Sequence, residues 1–162
     1  MKIFIKTVLA WSLRQYQIMS MYGSQEGMAH IALVMCDPGD VVLVPNPGYP
    51  VFGMGPQLMG AKVETYPLYV ENNFLPDFAD IPEETAKAAK FMIISYPANP
   101  VCSVADDSFY EKAIAFAKKY NVILLHDNAY SDIIFGGKEG NHSCLIKEPW
   151  KWVLNLFSVQ VL

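Results

Sequence analysis

The chain has 162 residues, of which 52% are hydrophobic and only 17% are charged, and its formal net charge is −4. This length allows one domain with a core of its own, while the charged fraction lies below the roughly 25% of ordinary soluble domains. A negative net charge without a basic cluster argues against a protein that binds nucleic acid.

The three cysteines are an odd number and lack the paired spacing of a zinc site or a disulfide framework. The opening 11 residues are apolar like a secretory signal, but Lys6 interrupts them and no small-residue cleavage site follows. No apolar run reaches the roughly 18 residues of a membrane span. These features predict a cytoplasmic protein that does not enter a membrane.

Helical spacing of apolar residues predicts a helix over 3–16 and another over 28–35, with a brief apolar run over 18–22 between them. A strand is predicted over 41–44. The prolines of 45–50 exclude a helix or a central strand, so that stretch is predicted to be a rigid loop.

Strands and helices alternate along the rest of the chain. The predictions are, in order, a weak helix over 51–59, a strand over 62–68, an irregular stretch over 71–80, a helix over 82–89, a strand over 91–95, a helix from Asp106 or Asp107 to Lys119, a strand beginning at Val122, a polar connection over 136–149 and a strand over 152–157. This order predicts an α/β fold of three layers, with a mostly parallel sheet and helices on both faces.

Four apolar runs end in polar or proline-rich loops, and these loops hold the candidate functional residues. The loops are Ser24–Gln25, 46–49, 96–99 and 127–130. If the runs are parallel strands, all four loops meet at the carboxyl edge of the sheet, where ligands of open α/β sheets bind.

Asp127 is the most informative candidate, because an acid that closes an apolar strand is costly to bury without a positive or protonated partner. Acids at strand ends are also common structural residues, so both readings stay open. His126 is adjacent and points to the opposite face, and no Gly-x-Ser-x-Gly elbow exists, which argues against a Ser-His-Asp triad. His30 and His142 lack metal-ligand spacing, and no metal site is predicted.

The other three loops each allow a functional and a structural interpretation. Gly23 to Gly27 opens a helix and so offers an anion site, although Ser24 as a simple helix cap is the better explanation of this motif alone. Tyr49 follows two prolines and either covers a ligand or packs on its own domain. Asn99 offers donor and acceptor groups at a strand end, but Asn-Pro is also a common turn pair.

Taken together, Gly23-Ser24-Gln25-Glu26-Gly27, Asn46 to Pro50, Asn99-Pro100 and Asp127 to Tyr130 resemble the class I and II aminotransferases of fold type I. The first two motifs are particularly similar to the LL-diaminopimelate aminotransferase branch. The resemblance extends from about Ile18 to Phe157 and implies pyridoxal phosphate as the cofactor.

The resemblance also implies a role for each matching residue. Ser24 and Gln25 match the turn that holds the cofactor phosphate, and Tyr49 matches the aromatic residue stacked on the pyridine ring. Asn99 and Tyr130 match the pair that shares the phenolic oxygen of the ring. Asp127 matches the acid that pairs with the ring nitrogen, whose protonation makes the cofactor an electron sink.

The sequence departs from the family pattern in two places. The family reads Asn-Pro-Thr-Gly where this chain reads Asn99-Pro100-Val101-Cys102, so the loop lacks a glycine and a different loop conformation is open. The family lysine that forms the Schiff base aligns with Val161, and shifting the alignment by one residue gives Gln160 or Leu162. The chain is therefore expected to be catalytically inactive alone.

Residues 1–162 are accordingly interpreted as a partial large domain, without the small C-terminal domain of the family. The resemblance implies amino acid and 2-oxo acid substrates and a homo-oligomer, most simply a dimer. The alternative is a non-catalytic structural or interaction fragment that self-associates through open sheet edges.

Overall fold

The computed structural model describes residues 19–131, 133–135 and 153–157, the last range through its backbone. Five parallel strands form one sheet in the order β2-β1-β3-β4-β5. The strands are β1 (Val41–Asn46), β2 (Lys62–Pro67), β3 (Ala89–Ser95), β4 (Ile123–Asn128) and β5 (Val153–Phe157). The helices are α1 (Ser24–Met35), α2 (Val51–Leu58), α3 (Glu83–Ala88) and α4 (Asp107–Tyr120), with short 3-10 helices at Val70–Asn72 and Phe78–Asp80.

Alternate residues of the strands enter two separate cores, one on each face of the sheet. Phe91 and Ile93 of β3 pack in the core that contains Met28 of α1 and Phe52 of α2. Met92 and Ile94 face the other way, into the core of α3 and α4. Because side chains alternate along a strand, the nearly continuous apolar run of β3 covers both faces. The predicted three-layer α/β fold is confirmed.

The strand order creates a crevice between β1 and β3. From β1 the chain passes through α2 outward to β2, then returns across β1 to β3 and continues outward to β4 and β5. The connections leaving β1 and β3 therefore diverge at their carboxyl ends. In an open α/β sheet this divergence marks the place where a ligand binds.

The prediction that Pro45 excludes a central strand was wrong. β1 is central and continues through Pro45 to Asn46, but its pairing with β3 ends at Leu43, and Pro45 pairs only with Tyr66 of β2. A proline lacks an N–H donor, yet it is tolerated where one neighbouring ladder has already ended.

Most other element predictions were confirmed to within one or two residues. α1 begins at Ser24 rather than at residue 28, and residues 19–22 are not a strand. The weak helix is present as α2 and contains Pro56. The predicted helix over 3–16 and the connection over 136–149 lie outside the described residues.

Helix α4 begins and ends as its sequence predicts. The Asp106 carboxylate accepts a hydrogen bond of 2.9 Å from the Phe109 N–H, as an N-cap residue should. Asn121 ends the helix with a left-handed φ of 58°. Within ranges 19–131, 133–135 and 153–157, no helix combines the length and apolar character needed to cross a bilayer.

Candidate functional site

The loop after β1 is joined to the N-terminus of α1 by Tyr49. Its hydroxyl donates a hydrogen bond of 3.2 Å to Gln25 Oε1, and its ring lies edge-on to Phe52 at 5.9 Å. Gly48 makes this turn possible, because a Cβ there would collide with the Pro45 carbonyl oxygen. Two residues from separate predicted loops are thus brought together on the α1 side of the sheet.

The loops after β3 and β4 are joined by a second polar pair. Asn99 Nδ2 donates to the Tyr130 hydroxyl oxygen at 3.3 Å. Asn99 is half-buried and Tyr130 is 37% exposed, so both side chains are within reach of a ligand in the crevice. The Asn99 amide and the Tyr130 hydroxyl can each donate a further hydrogen bond.

Asp127 lies at the carboxyl end of β4 and is only 7% exposed. It follows Leu125 by two residues and so lies on the same face, in the layer of α1 and α2. Among the described residues its Oδ1 atom has no hydrogen-bond partner. Burial raises the pKa of Asp127 from 3.8 to about 6, because the carboxylate has lost solvent without gaining a donor.

His126 faces the opposite layer, as its position next to Asp127 predicts. It is fully buried, its Nε2 lies 3.2 Å from the Tyr96 carbonyl oxygen, and its ring contacts Tyr110 edge-on at 5.5 Å. The tautomer that carries the proton on Nε2 donates it to that carbonyl. His126 therefore stabilises the end of β3 and is not paired with Asp127.

The N-terminus of α1 carries no side-chain cap. Gly23 is the N-cap residue, with a φ of 94°, and Ser24 is already helical. The alternative in which Ser24 caps the helix was wrong, because glycine holds the N-cap position. Glu26 turns its carboxylate back to accept a hydrogen bond of 2.6 Å from the Tyr22 N–H. The leading N–H groups of α1 thus form a region of positive potential beside Gln25.

The loop that lacks the family glycine keeps a left-handed residue at the same position. Cys102 has a φ of 56°, its N–H donates to the Ala98 carbonyl at 2.7 Å, and the Ala98 N–H donates to the Ser103 carbonyl at 2.9 Å. A conformation that glycine adopts freely is here imposed on a residue with a Cβ. The loop that carries Asn99 is therefore closed by backbone hydrogen bonds despite the cysteine.

Two buried polar residues at this edge were missed by the sequence analysis. Ser95 ends β3 and is 5% exposed, while Asn128 ends β4 and is 2% exposed. Within the described part of the chain, Ser95 Oγ and both polar atoms of the Asn128 side chain have no hydrogen-bond partner. The available signal was the same as for Asp127, namely a polar residue that closes an apolar strand.

The edge supplies hydroxyl, amide and carboxyl groups. The described residues contain no group of three histidine, cysteine or acidic side chains placed to hold a metal ion. An organic ligand with an anionic end, a flat ring and a protonated nitrogen would match the helix N-terminus, Tyr49 and Asp127. Fold and edge together define an α/β domain with polar groups at the carboxyl end of a parallel sheet, where ligands of such domains bind.

The family model for aminotransferase class I and II matches residues 4–159, so the chain belongs to this family. It is 43% identical over 145 residues to the LL-diaminopimelate aminotransferase of Desulforudis audaxviator, an alignment covering 85% of this chain and 37% of that protein. The enzyme of the same name from Aquifex aeolicus is 44% identical over 141 residues, with 82% of this chain and 36% of the relative covered.

Solved structures of aminotransferases share the fold of this chain. A probable N-succinyldiaminopimelate aminotransferase from Thermus thermophilus superposes with a TM-score of 0.86 at 30% identity, over 97% of this chain and 42% of that one. An aminotransferase from Staphylococcus aureus gives a TM-score of 0.85 at 27% identity, over 98% and 42%. The family resemblance is confirmed, and pyridoxal phosphate is the cofactor of that family. The chain spans about 37% of the length of the curated relatives it matches.

Proposed function

We propose that the chain is the cofactor-binding large domain of a class I and II aminotransferase and holds pyridoxal phosphate at the carboxyl edge of its sheet. The observation that carries this proposal is Asp127, a buried carboxyl group with a raised pKa and an oxygen that has no hydrogen-bond partner among the described residues. A protonated ring nitrogen is a cationic donor, which is what such a group lacks. When bound, the cofactor supplies an electron sink for the substrate carbanion.

Ser24 and Gln25 are proposed to hold the phosphate with the first N–H groups of α1. In support, Gly23 leaves those N–H groups without a side-chain cap, and a helix N-terminus favours an anion. Tyr49 already contacts Gln25, so its ring lies beside the phosphate end of the crevice. We propose that the Tyr49 ring stacks on the face of the pyridine ring of the cofactor.

Asn99 and Tyr130 are proposed to share the phenolic oxygen of the ring. Their mutual hydrogen bond of 3.3 Å brings two donors to one point of the crevice. An oxygen that accepts from both an amide N–H and a phenol O–H is held in its ionised form. Asp127 at the ring nitrogen and this pair at the phenolic oxygen would together fix the orientation of the ring.

The substrates proposed for the whole protein are an amino acid and a 2-oxo acid in a cytoplasmic reaction. The relatives named above make LL-diaminopimelate the first amino donor to test. Because the family resemblance places the Schiff-base lysine at Val161, we propose that the 162-residue chain alone holds the cofactor without a covalent bond. Domain boundaries of 1–162 for the cofactor-binding piece are part of the same proposal.

A second candidate is self-association, as a homodimer of the aminotransferase or as a non-catalytic fragment. It is favoured by exposed apolar side chains on the paired helices α1 and α2, namely Leu33, Val34, Met54 and Leu58. Light scattering after gel filtration tests it. A dimer or larger oligomer at micromolar concentration is expected, and a monomer throughout would contradict self-association.

Binding is best measured with pyridoxamine phosphate, which lacks the aldehyde and cannot form imines with surface lysines. We expect one saturable site by calorimetry, weakened at least tenfold by Asp127→Asn and by Tyr49→Ala. Glu64→Gln, an exposed acid on β2, is the control and should leave the affinity unchanged. Equal affinities for wild type and Asp127→Asn would refute the proposed site.

Covalent chemistry is tested separately with pyridoxal phosphate itself. After borohydride treatment, mass spectrometry of the 162-residue chain should find no stoichiometric adduct at any one lysine. The purified chain should also fail to transfer the amino group of glutamate or diaminopimelate to a 2-oxo acid. A single-site adduct or clear turnover would overturn the proposal that this chain acts without covalent attachment.

A further inference from the structure

Ser95 stands directly opposite Asp127 in the parallel ladder between β3 and β4. Partners in a ladder point to the same face of the sheet, so both side chains lie in the layer of α1 and α2. Ser95 is not among the residues that the proposed function assigns to cofactor binding. Among the described residues, Ser95 Oγ and Asp127 Oδ1 are both buried and both lack a hydrogen-bond partner.

The backbone holds these two side chains side by side. The Tyr96 N–H donates to the Asp127 carbonyl at 3.3 Å, which continues the ladder past Ser95. His126 Nε2 lies 3.2 Å from the Tyr96 carbonyl oxygen on the opposite face. Because neighbouring strands are about 4.8 Å apart, a small rotation of either side chain brings the hydroxyl to the carboxylate.

The two groups are chemically complementary. An ionised carboxylate only accepts hydrogen bonds, whereas a serine hydroxyl donates one and turns freely about its Cβ–Oγ bond. Among the described residues, the titratable groups near this edge are Tyr49 and Tyr130, in the flanking loops, and Tyr96 and His126, which lie on the face of α3 and α4. Burial raises the pKa of Asp127, and no charged group among the described residues stabilises its carboxylate.

We propose that Ser95 is a positioning residue for Asp127, whose carboxylate accepts a hydrogen bond from the Ser95 hydroxyl and is thereby oriented toward the crevice. One carboxylate oxygen is then held by Ser95 while the other is left for the ring nitrogen of the cofactor. The role of the second oxygen rests on the proposed function, whereas the hydrogen bond between Ser95 and Asp127 does not.

The hydrogen bond is tested by following the side-chain carbon of Asp127 by NMR as the free chain is titrated. Ser95→Ala removes the donor and should raise the midpoint of the Asp127 titration by about one pH unit. This rise corresponds to a tenfold smaller ionisation constant of the carboxyl group. Ser95→Cys keeps the volume with a weaker donor and should give an intermediate midpoint. Ser108→Ala, a serine substitution on the exposed side of α4, is the control and should leave it unchanged.

An unchanged midpoint in both Ser95 variants would overturn the proposal, whatever the affinity for cofactor. A purely structural role for Ser95 would lower stability without moving that midpoint, and Ser95→Cys provides the measurement even if Ser95→Ala does not fold. Affinity for pyridoxamine phosphate should fall about tenfold in Ser95→Ala, and this loss should vanish in an Asp127→Asn background. Failure of the wild-type chain to bind pyridoxamine phosphate would refute the proposed function, while the NMR titration would still decide the Ser95–Asp127 hydrogen bond.

Discussion

Replacing Asp127 with asparagine is expected to remove a pH-dependent destabilisation of the free chain. Burial raises the pKa of this carboxyl group to about 6 from its ordinary 3.8, a difference of roughly two pH units. Since each unit corresponds to about 1.4 kcal/mol, ionising Asp127 lowers the free energy of unfolding by about 3 kcal/mol. Asparagine has nearly the same shape and does not ionise.

The direction in which the free energy of unfolding changes with pH depends on whether the folded or the unfolded chain binds the Asp127 proton more tightly. The folded chain releases the Asp127 proton near pH 6 and the unfolded chain near 3.8, so the folded state binds more protons between these values. Through this group the free energy of unfolding therefore falls as the pH rises from about 4 to about 6. Asp40 and Asp106, whose pKa values are lowered by hydrogen bonds, act in the opposite direction and are unchanged by the substitution.

The assay is urea unfolding of wild type and Asp127→Asn at several pH values from about 4 to 8. The asparagine N–H groups lack acceptors at a pH-independent cost of about 1–3 kcal/mol, so the informative quantity is how the difference between the two proteins changes with pH. We expect it to change in favour of the variant by about 3 kcal/mol for a carboxylate without a donor, and by about 1.4 kcal/mol less when the Ser95 hydroxyl donates to it, because that hydrogen bond lowers the midpoint by about one pH unit. For Glu64→Gln the difference should stay flat. A flat difference for Asp127→Asn would refute the reasoning.

Three further substitutions test local features of the fold. Cys102→Gly should raise the free energy of unfolding by about 1–2 kcal/mol in urea unfolding, since it relieves a left-handed φ of 56°; a loss of stability would contradict that backbone conformation. Asp106→Ala should lower it by about 1 kcal/mol, because the Phe109 N–H loses its cap; no change would argue against the cap. Gly55→Ala should lower the thermal midpoint and cost about 1–3 kcal/mol, because its Cβ would lie 2.5 Å from the Ala29 carbonyl oxygen; an unchanged midpoint would show that the helices can separate without penalty.

The element pattern was predictable because strong local signals agree with the packing. The apolar run before Ser95 and the capping residue Asp106 each allow few alternatives, and both elements were found near the predicted bounds. Pro45 was misread because its effect depends on which neighbour each edge of β1 pairs with. That pairing is a property of the whole sheet and cannot be seen in the residues around a proline.

The sequence predicts which loops of the candidate site meet at one edge of the sheet, but not every contact between their residues. Parallel strands make loops at one edge converge, which brought Asn99 to Tyr130 as expected. The contact of Tyr49 with Gln25 joins a strand loop to a helix start, and it depends on how closely α1 and α2 pack. Ser95 closes an apolar strand as Asp127 does, but it was missed because a lone neutral serine is a weaker signal than an acid and its ladder partner cannot be read from the neighbouring residues.

The unpaired polar atoms of the described residues are concentrated at the end of the sheet where the cofactor is proposed to bind. Ser95, Asp127 and Asn128 lie at the last positions of β3 and β4, while the preceding residues of both strands are packed in apolar cores. Each buried group without a partner costs about 1–3 kcal/mol, so a ligand that supplies partners gains that relief in addition to its own contacts. Asn128 faces away from Asp127, because adjacent strand residues alternate. A ligand on the Asp127 face should therefore supply a partner to the carboxylate oxygen that Ser95 does not hold, and it should supply none to Asn128.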